Sequence, residues 1–385
     1  MQRITFVFLF IIFGLNAFSQ HDEEQIRTSL IKYINGTSFN DSALIDQAFY
    51  SEANLYLSKN DTSLWTVPVA EYMGWFKKGE QGQFNGRFGK ILSIDHFRNI
   101  ALAKAEIHIP KSDQTFIDMF LLKKLDGQWK IISKTAYSEE SNANGDRILF
   151  IVSNAHFYGN SELPTGNSYS EIVNAYHAFK TAGYTVDFLS PQGGSIPLAY
   201  INTSDPLQKQ YLYDPDFMYA LKHTKSPEQV SPEMYKAVHY IGGGGAMFGV
   251  PENKEIQQIV MTIYEEQHGI ISSVCHGTAG IVHLKTKDGK YLVDGKTVNG
   301  YPDAFEREGA EYFSHFPFLI TKTIEEHGGT FNYSPRNSVH VEEDGNLITG
   351  QNYLSSAHVA RRIIERLKRA ESETGSLSII KNQVN

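Results

Sequence analysis

Residues 138–146, SEESNANGD, contain no bulky apolar side chain. A stretch with nothing to bury reads as a linker, and the sequence has a different rhythm on either side of it. Ahead of it, Ile26, Leu30, Ile31 and Tyr33 recur at helical spacing, and Leu44, Ile45 and Phe49 mark a second helix. Residues 67–79, VPVAEYMGWFKKG, read as a third helix ended by Gly79. Apolar strands follow at 91–97, 99–109, 115–125 and 129–137, the last two joined by an Asp126-Gly127 hairpin turn. Helices followed by antiparallel strands make an α+β plan. Behind the linker, strands and helices alternate: RILFIVS, a helix at 170–183, YTVDFLS, AVHYIGGGG, a helix at 254–269 and GIISSVCHG. That order predicts a parallel sheet covered by helices on both faces.

The N-terminal 19 residues place Arg3 before an apolar run and end in Ala17-Phe18-Ser19. This is the pattern of a signal peptide cut before Gln20, which predicts export to a periplasm or the exterior. An uncleaved anchor is the other reading, but the run is short for a span of about 20 residues. No second apolar stretch of spanning length exists, so the chain is not expected to be membrane-embedded. The expected organisation is a signal peptide (1–19), a first domain (20–137), a linker (138–146), a second domain (147–370) and a polar tail (371–385). A net charge of -8 without a long basic cluster excludes nucleic acid as the expected partner. No paired HxH, HExxH or CxxC spacing calls for a metal, and no cofactor is expected.

The chain has one cysteine, Cys275, in SVCHGTAG. It cannot form an internal disulfide, so it is a buried small hydrophobe, an intermolecular link or a reactive thiol. Its setting favours reactivity. It follows an apolar strand, where parallel sheets collect functional groups, and small residues surround it. A helix starting at about Gly277 would lower the thiol pKa and make a strand-turn-helix elbow. His276 adds an acid/base group. After another strand, Gly242 to Gly245 leave backbone N–H groups able to converge on an anion.

Three phrases in the first domain, Tyr33-Ile34-Asn35-Gly36-Thr37, Asn99-Ile100-Ala101 and Asp126-Gly127-Gln128-Trp129, carry a resemblance. Over residues 22–137 the chain resembles lumazine-binding-like and SnoaL-like members of the nuclear-transport-factor-like superfamily. The resemblance implies a cone in which helices close a curved antiparallel sheet around a pocket. His96, His108, Asp95 and Asp118 are candidates to line it, with ordinary strand-face polar residues as the alternative.

IGGGGAMFGVPEN and SSVCHGTAGIVHL carry a second resemblance, over residues 147–368. This part resembles the PfpI-like superfamily, with the class I glutamine-amidotransferase-like, flavodoxin-like parallel-sheet fold. Within it the chain is most similar to the branch of heat-shock chaperones and glutathione-independent glyoxalase III enzymes. The resemblance places a glutamate at Glu171 after Thr165-Gly166, the thiol and histidine at Cys275 and His276, and an acidic residue at Glu306 after Asn299-Gly300-Tyr301-Pro302. Three positions depart from the branch: Gly244 replaces a histidine, Gly249 an aspartate and Tyr353 a proline.

The resemblance implies that Glu171 points at the Cys275 sulfur. Burial there would keep its carboxyl protonated, able to donate to the sulfur and to move a proton. Glu306 would orient His276, although it stands in an acidic stretch where solvated carboxylates are ordinary. Backbone N–H groups of Gly243, Gly244 and His276 are the oxyanion candidates. The implied activity is metal- and glutathione-independent conversion of a small 2-oxoaldehyde such as methylglyoxal to a 2-hydroxy acid, by a homodimer. A holding chaperone or deglycase-type stress protein, a thiol hydrolase or amidase, and a redox-sensing thiol protein are the alternatives.

Overall fold

The structure is a computed structural model that describes residues 21–60 and 63–383. The expected signal peptide lies outside the described residues. The chain divides into two compact units on either side of Gly145 and Asp146.

The first unit opens with helix α1 (residues 21–38), which buries Ile26, Leu30 and Tyr33 on one face and leaves Ile31 exposed. Helix α2 (Ser42–Ala48) is capped by Asp41, whose side chain accepts from the N–H groups of Ala43 and Leu44. Phe49 does not continue this helix. It opens strand β1 (Phe49–Asn60), which turns back as β2 (Ser63–Pro68). Helix α3 (Val69–Trp75) gives way at Phe76, before Gly79. Strands β3 (Phe88–Phe97), β4 (Ile100–Ile109), β5 (Gln114–Leu125) and β6 (Gln128–Glu140) complete a six-stranded sheet of order β2-β1-β6-β5-β4-β3. The sheet is antiparallel except where β1 runs parallel to β6. Register shifts in β1, β3 and the β5–β6 pair bend it.

Alternation along the strands separates the candidate pocket residues. His96 pairs with Ala101 and Asp118 with Ala105, on the face that carries the buried alanines of β4. Asp95 pairs with exposed Leu102, and His108 stands an odd number of residues from Ala105, so both take the opposite face. The four residues therefore do not line one pocket. Asp118 is buried in an ion pair with Lys134 at 2.6 Å and accepts a 2.5 Å hydrogen bond from Tyr33. His108 joins Thr115 and Glu106 instead.

The second unit has a six-stranded sheet. In chain order its elements are β7 (Arg147–Ile151), the short β8 (Asn167–Ser168), α4 (Tyr169–Thr181), β9 (Thr185–Leu189), β10 (Leu198–Ala199), α5 (Pro206–Leu212), α6 (Pro215–Lys222) and β11 (Tyr235–Tyr240). Then come α7 (Lys254–Glu265), β12 (Ile270–Val274), β13 (Thr297–Val298), α8 (Ile320–Glu326), β14 (Thr330–Phe331), β15 (Val341–Asp344), β16 (Leu347–Gly350) and α9 (Ser356–Gln383). The expected polar tail continues α9 without a break through Gln383.

The main sheet runs β15-β16-β12-β11-β7-β9, parallel except for the antiparallel edge strand β15. Strands β7, β9 and β12 are buried at every residue, as a sheet covered on both faces requires. Successive side chains feed opposite cores. Ile148 and Phe150 join α4 and α9, while Leu149 and Ile151 join α7 and α8. Asn167 fixes the entry to α4 by accepting from Ser153 N–H and donating to the Ser153 and Pro197 carbonyls. The ends of β11 and β12 and the start of α4 converge on Cys275.

Candidate active site

Cys275 follows β12 directly and is 9% exposed. The turn after it is a 3-10 helix over Cys275–Ile281, which starts earlier and winds tighter than the helix expected from Gly277. Cys275 takes φ +56°, in the left-handed region. A residue with a Cβ pays about 1–2 kcal/mol there. Neighbours hold the turn: Ser273 Oγ and Thr278 Oγ1 lie 2.8 Å apart, Thr278 Oγ1 donates to the Asn299 carbonyl, and Tyr301 N–H donates to the Cys275 carbonyl at 3.1 Å.

On one side of the thiol stands Glu171, in the first turn of α4 and 1% exposed. Its carboxyl shares a hydrogen bond with the Cys275 side chain and accepts from Gly242 N–H at 2.9 Å. Gly242 is a glycine for steric reasons. A Cβ there would stand 2.7 Å from a Glu171 carboxyl oxygen and 2.9 Å from the Cys275 Cβ. Burial pushes the Glu171 pKa up to about 8, against smaller downward pulls from Cys275, Gly242 and Ser168.

The Cys275 thiol is also pushed up, by burial first and then by the Glu171 charge, while the His276 backbone N–H pulls it down. The expected lowering by a helix N-terminus is therefore outweighed, because the site is dry. At neutral pH Glu171 holds its proton, which removes its charge from the thiol and lets the carboxyl donate to sulfur.

On the other side, His276 Nδ1 lies 3.6 Å from the Cys275 sulfur. His276 Nε2 donates to Glu306 Oε1 at 2.8 Å, and Tyr312 donates to Glu306 Oε2 at 2.9 Å. A carboxylate at Nε2 fixes the proton there and turns the Nδ1 lone pair toward sulfur. The Glu306 side chain is 5% exposed, so the acidic stretch around it does not leave it solvated. Tyr301 stacks on the imidazole with centroids 4.5 Å apart.

The structure thus gathers Cys275, His276, Glu171 and Glu306 in one place. Gly243 takes φ +100° beside the strand that leads to Glu171, and Gly244 begins a short 3-10 turn. The space a side chain at Gly244 would need is filled by Tyr158 and by Thr165 Oγ1, 2.5 Å from the ideal Cβ. Tyr158 and Tyr312 carried no motif in the sequence, and Tyr301 only marked the approach to Glu306; the fold brings Tyr158 to Gly244, Tyr312 to Glu306 and Tyr301 to His276.

The raised Glu171 pKa makes stability depend on pH. Between its ordinary value of 4.5 and about 8, the folded chain holds a proton that the unfolded chain has released. Stability therefore falls as pH rises through this window, by up to about 1.4 kcal/mol per unit. The rise of the thiol acts above its ordinary value of 9.0, outside the window. Glu171→Gln cannot titrate. Urea unfolding at pH 5, 6.5 and 8 should show wild type losing stability relative to this variant. Parallel pH profiles would contradict the raised pKa.

Comparison with known proteins covers both units. Residues 21–137 match the family described as putative lumazine-binding, and residues 163–366 match the DJ-1/PfpI family. The glutathione-independent glyoxalase HSP31 of Saccharomyces cerevisiae is 29% identical over 53% of this chain and 90% of its own length. Glyoxalase 3 of Candida albicans is 27% identical over 55% of this chain and 93% of its own. Among solved structures, Rapid Encystment Protein 24 kDa of Francisella tularensis is similar at a TM-score of 0.54 and 26% identity, over 57% of this chain and 98% of that one. Glyoxalase III of Candida albicans shares the fold at a TM-score of 0.53 and 23% identity, over 58% and 98%. With more than half of its residues matched, and a lumazine-binding-like domain ahead of them, the chain belongs to the DJ-1/PfpI family.

Proposed function

We propose that this protein is a glyoxalase that converts methylglyoxal, or a closely similar 2-oxoaldehyde, to a 2-hydroxy acid with Cys275 as nucleophile and without glutathione. The observation that carries the reading is the placement of the thiol between a buried, protonated Glu171 and a His276 held by Glu306. The relatives named as glutathione-independent glyoxalases support it.

His276 Nδ1 takes the thiol proton, and sulfur adds to the aldehyde carbon. Glu171 gives its proton to the aldehyde oxygen, which completes a hemithioacetal. The Glu171 carboxylate then takes the C–H proton of that carbon and returns it to the neighbouring carbon. A second proton passes from the first oxygen to the second, so an enediol leads to a 2-hydroxy thioester. Water adds its hydroxyl to the thioester carbon and gives its proton to Glu171, which restores the carboxylic acid. The 2-hydroxy acid leaves, and the thiolate takes its proton back from His276. The sum is one 2-oxoaldehyde and one water to one 2-hydroxy acid. Backbone N–H groups of Gly243, Gly244 and His276 are the donors for the oxyanion.

The test is direct. Purified wild type incubated with methylglyoxal and no added thiol should form lactate, measured as product rather than as loss of substrate. Absence of lactate would reject the reading. Suppression of client aggregation without lactate formation would put the chaperone alternative first.

A further inference from the structure

Above the glycine loop lies a second group of hydroxyls that the steps above do not use. Tyr158 is 9% exposed, and its ring is set among Phe248, Tyr312 and Phe316, with centroids 6.2, 5.5 and 6.0 Å away. Its hydroxyl end fills the space beside the Gly244 Cα. Tyr200, directly after β10, holds the left-handed φ of +57° that a residue with a Cβ seldom adopts. Its side chain shares a hydrogen bond with Tyr158. Burial of the Tyr200 hydroxyl raises its pKa, and Tyr158, Cys275 and Glu171 add to the rise. Tyr200 as a residue is 63% exposed, so the burial that raises its pKa falls at its hydroxyl end.

We propose that Tyr158, positioned by Tyr200, is a substrate-binding residue whose hydroxyl holds an oxygen of the small carbonyl compound seated over Cys275. One hydrogen bond between two hydroxyls uses one of their two protons and leaves the other for a ligand. The Tyr158 hydroxyl stands at Gly244, with the rings of Tyr312 and Phe316 between Tyr158 and the His276–Glu306 pair. Its hydroxyl is thus beside Gly244, one of the backbone donors proposed for the oxyanion, where a substrate oxygen would lie. A substrate with oxygens on adjacent carbons suits this arrangement, because one oxygen meets the backbone donors while the other meets Tyr158. Gly244 is required for it, since any side chain there would drive the hydroxyl away.

The inference rests on the glyoxalase reading for its substrate but has a readout independent of it. Tyr158→Phe keeps the ring and removes the hydroxyl. A neutral hydrogen bond contributes about 0.5–1.5 kcal/mol, so KM for methylglyoxal should rise about 2- to 12-fold with kcat changed less. Gly244→Ala should raise KM similarly by displacing the hydroxyl, and the double variant should be no worse than either single one. Iodoacetamide, a small amide whose carbonyl must sit over the same thiol, should alkylate Cys275 more slowly in Tyr158→Phe. Unchanged KM in Tyr158→Phe, beside an active wild type, would overturn the proposal. If wild type forms no lactate the glyoxalase reading fails by itself. The tyrosine is then judged by alkylation, where a slower rate supports it and an unchanged rate overturns it.

Discussion

Cys275→Ala is expected to form no lactate above the uncatalysed background. The proposed route begins with a bond to sulfur, and the chain has no other thiol to supply one. Cys275→Ser should lose activity as fully. A hydroxyl is a far weaker acid than a thiol, and the bases facing it here are one imidazole and one carboxyl that is protonated at neutral pH. Serine is smaller than cysteine by little and keeps the turn, so circular dichroism should report an intact fold beside the lost activity. Retained turnover in either variant would remove Cys275 from the chemistry and leave the family match as a statement about fold.

Glu171→Gln should lower turnover by about 10²–10⁴-fold, the usual contribution of a positioned acid/base group. Glutamine can still accept from Gly242 N–H and can donate an N–H to sulfur, so the thiol keeps a partner and loses only the transferable proton. The pH dependence of iodoacetamide alkylation should change in the same variant. In wild type, Glu171 ionises at about 8 and places a charge beside a thiol that is itself raised. In the variant the thiol titrates alone. Combining Glu171→Gln with Cys275→Ser should be little worse than Cys275→Ser, because the two residues act as one unit. Near-normal turnover with an unaltered alkylation profile would sink the assignment of Glu171.

The two-part plan was legible because its signals were strong and local. The buried strand RILFI read as an apolar β run, Ile270-Ile271 marked the start of β12, and the glycine run marked the end of β11. Strands β1 and β2 were not legible. Phe49 lies at helical spacing from Leu44 and Ile45, yet it opens β1, where its backbone pairs with Ile131 far along the chain. Strand β2 buries only Val67, so its sequence lacks alternation. At the site, Cys275 and His276 stood out from their own neighbours. Glu171 and Glu306 needed the family resemblance, since a glutamate at a helix start and one in an acidic stretch are ordinary. Tyr158 and Tyr200 gave no signal at all. Their contact joins residues about forty positions apart, and the left-handed backbone of Tyr200 is not one that a tyrosine announces.

The φ of +56° at Cys275 places chemistry and foldability in opposition at a single residue. The backbone there suits glycine, the residue without a Cβ to crowd the turn, yet glycine would leave Glu171 and His276 facing nothing. Selection for a sturdier protein and selection for a working one would pull this position in different directions. The tight network through Ser273, Thr278, Asn299 and Tyr301 is what lets the second win. Loosening that network would let the elbow relax, and the thiol would drift from its two partners before the sheet beneath it had changed.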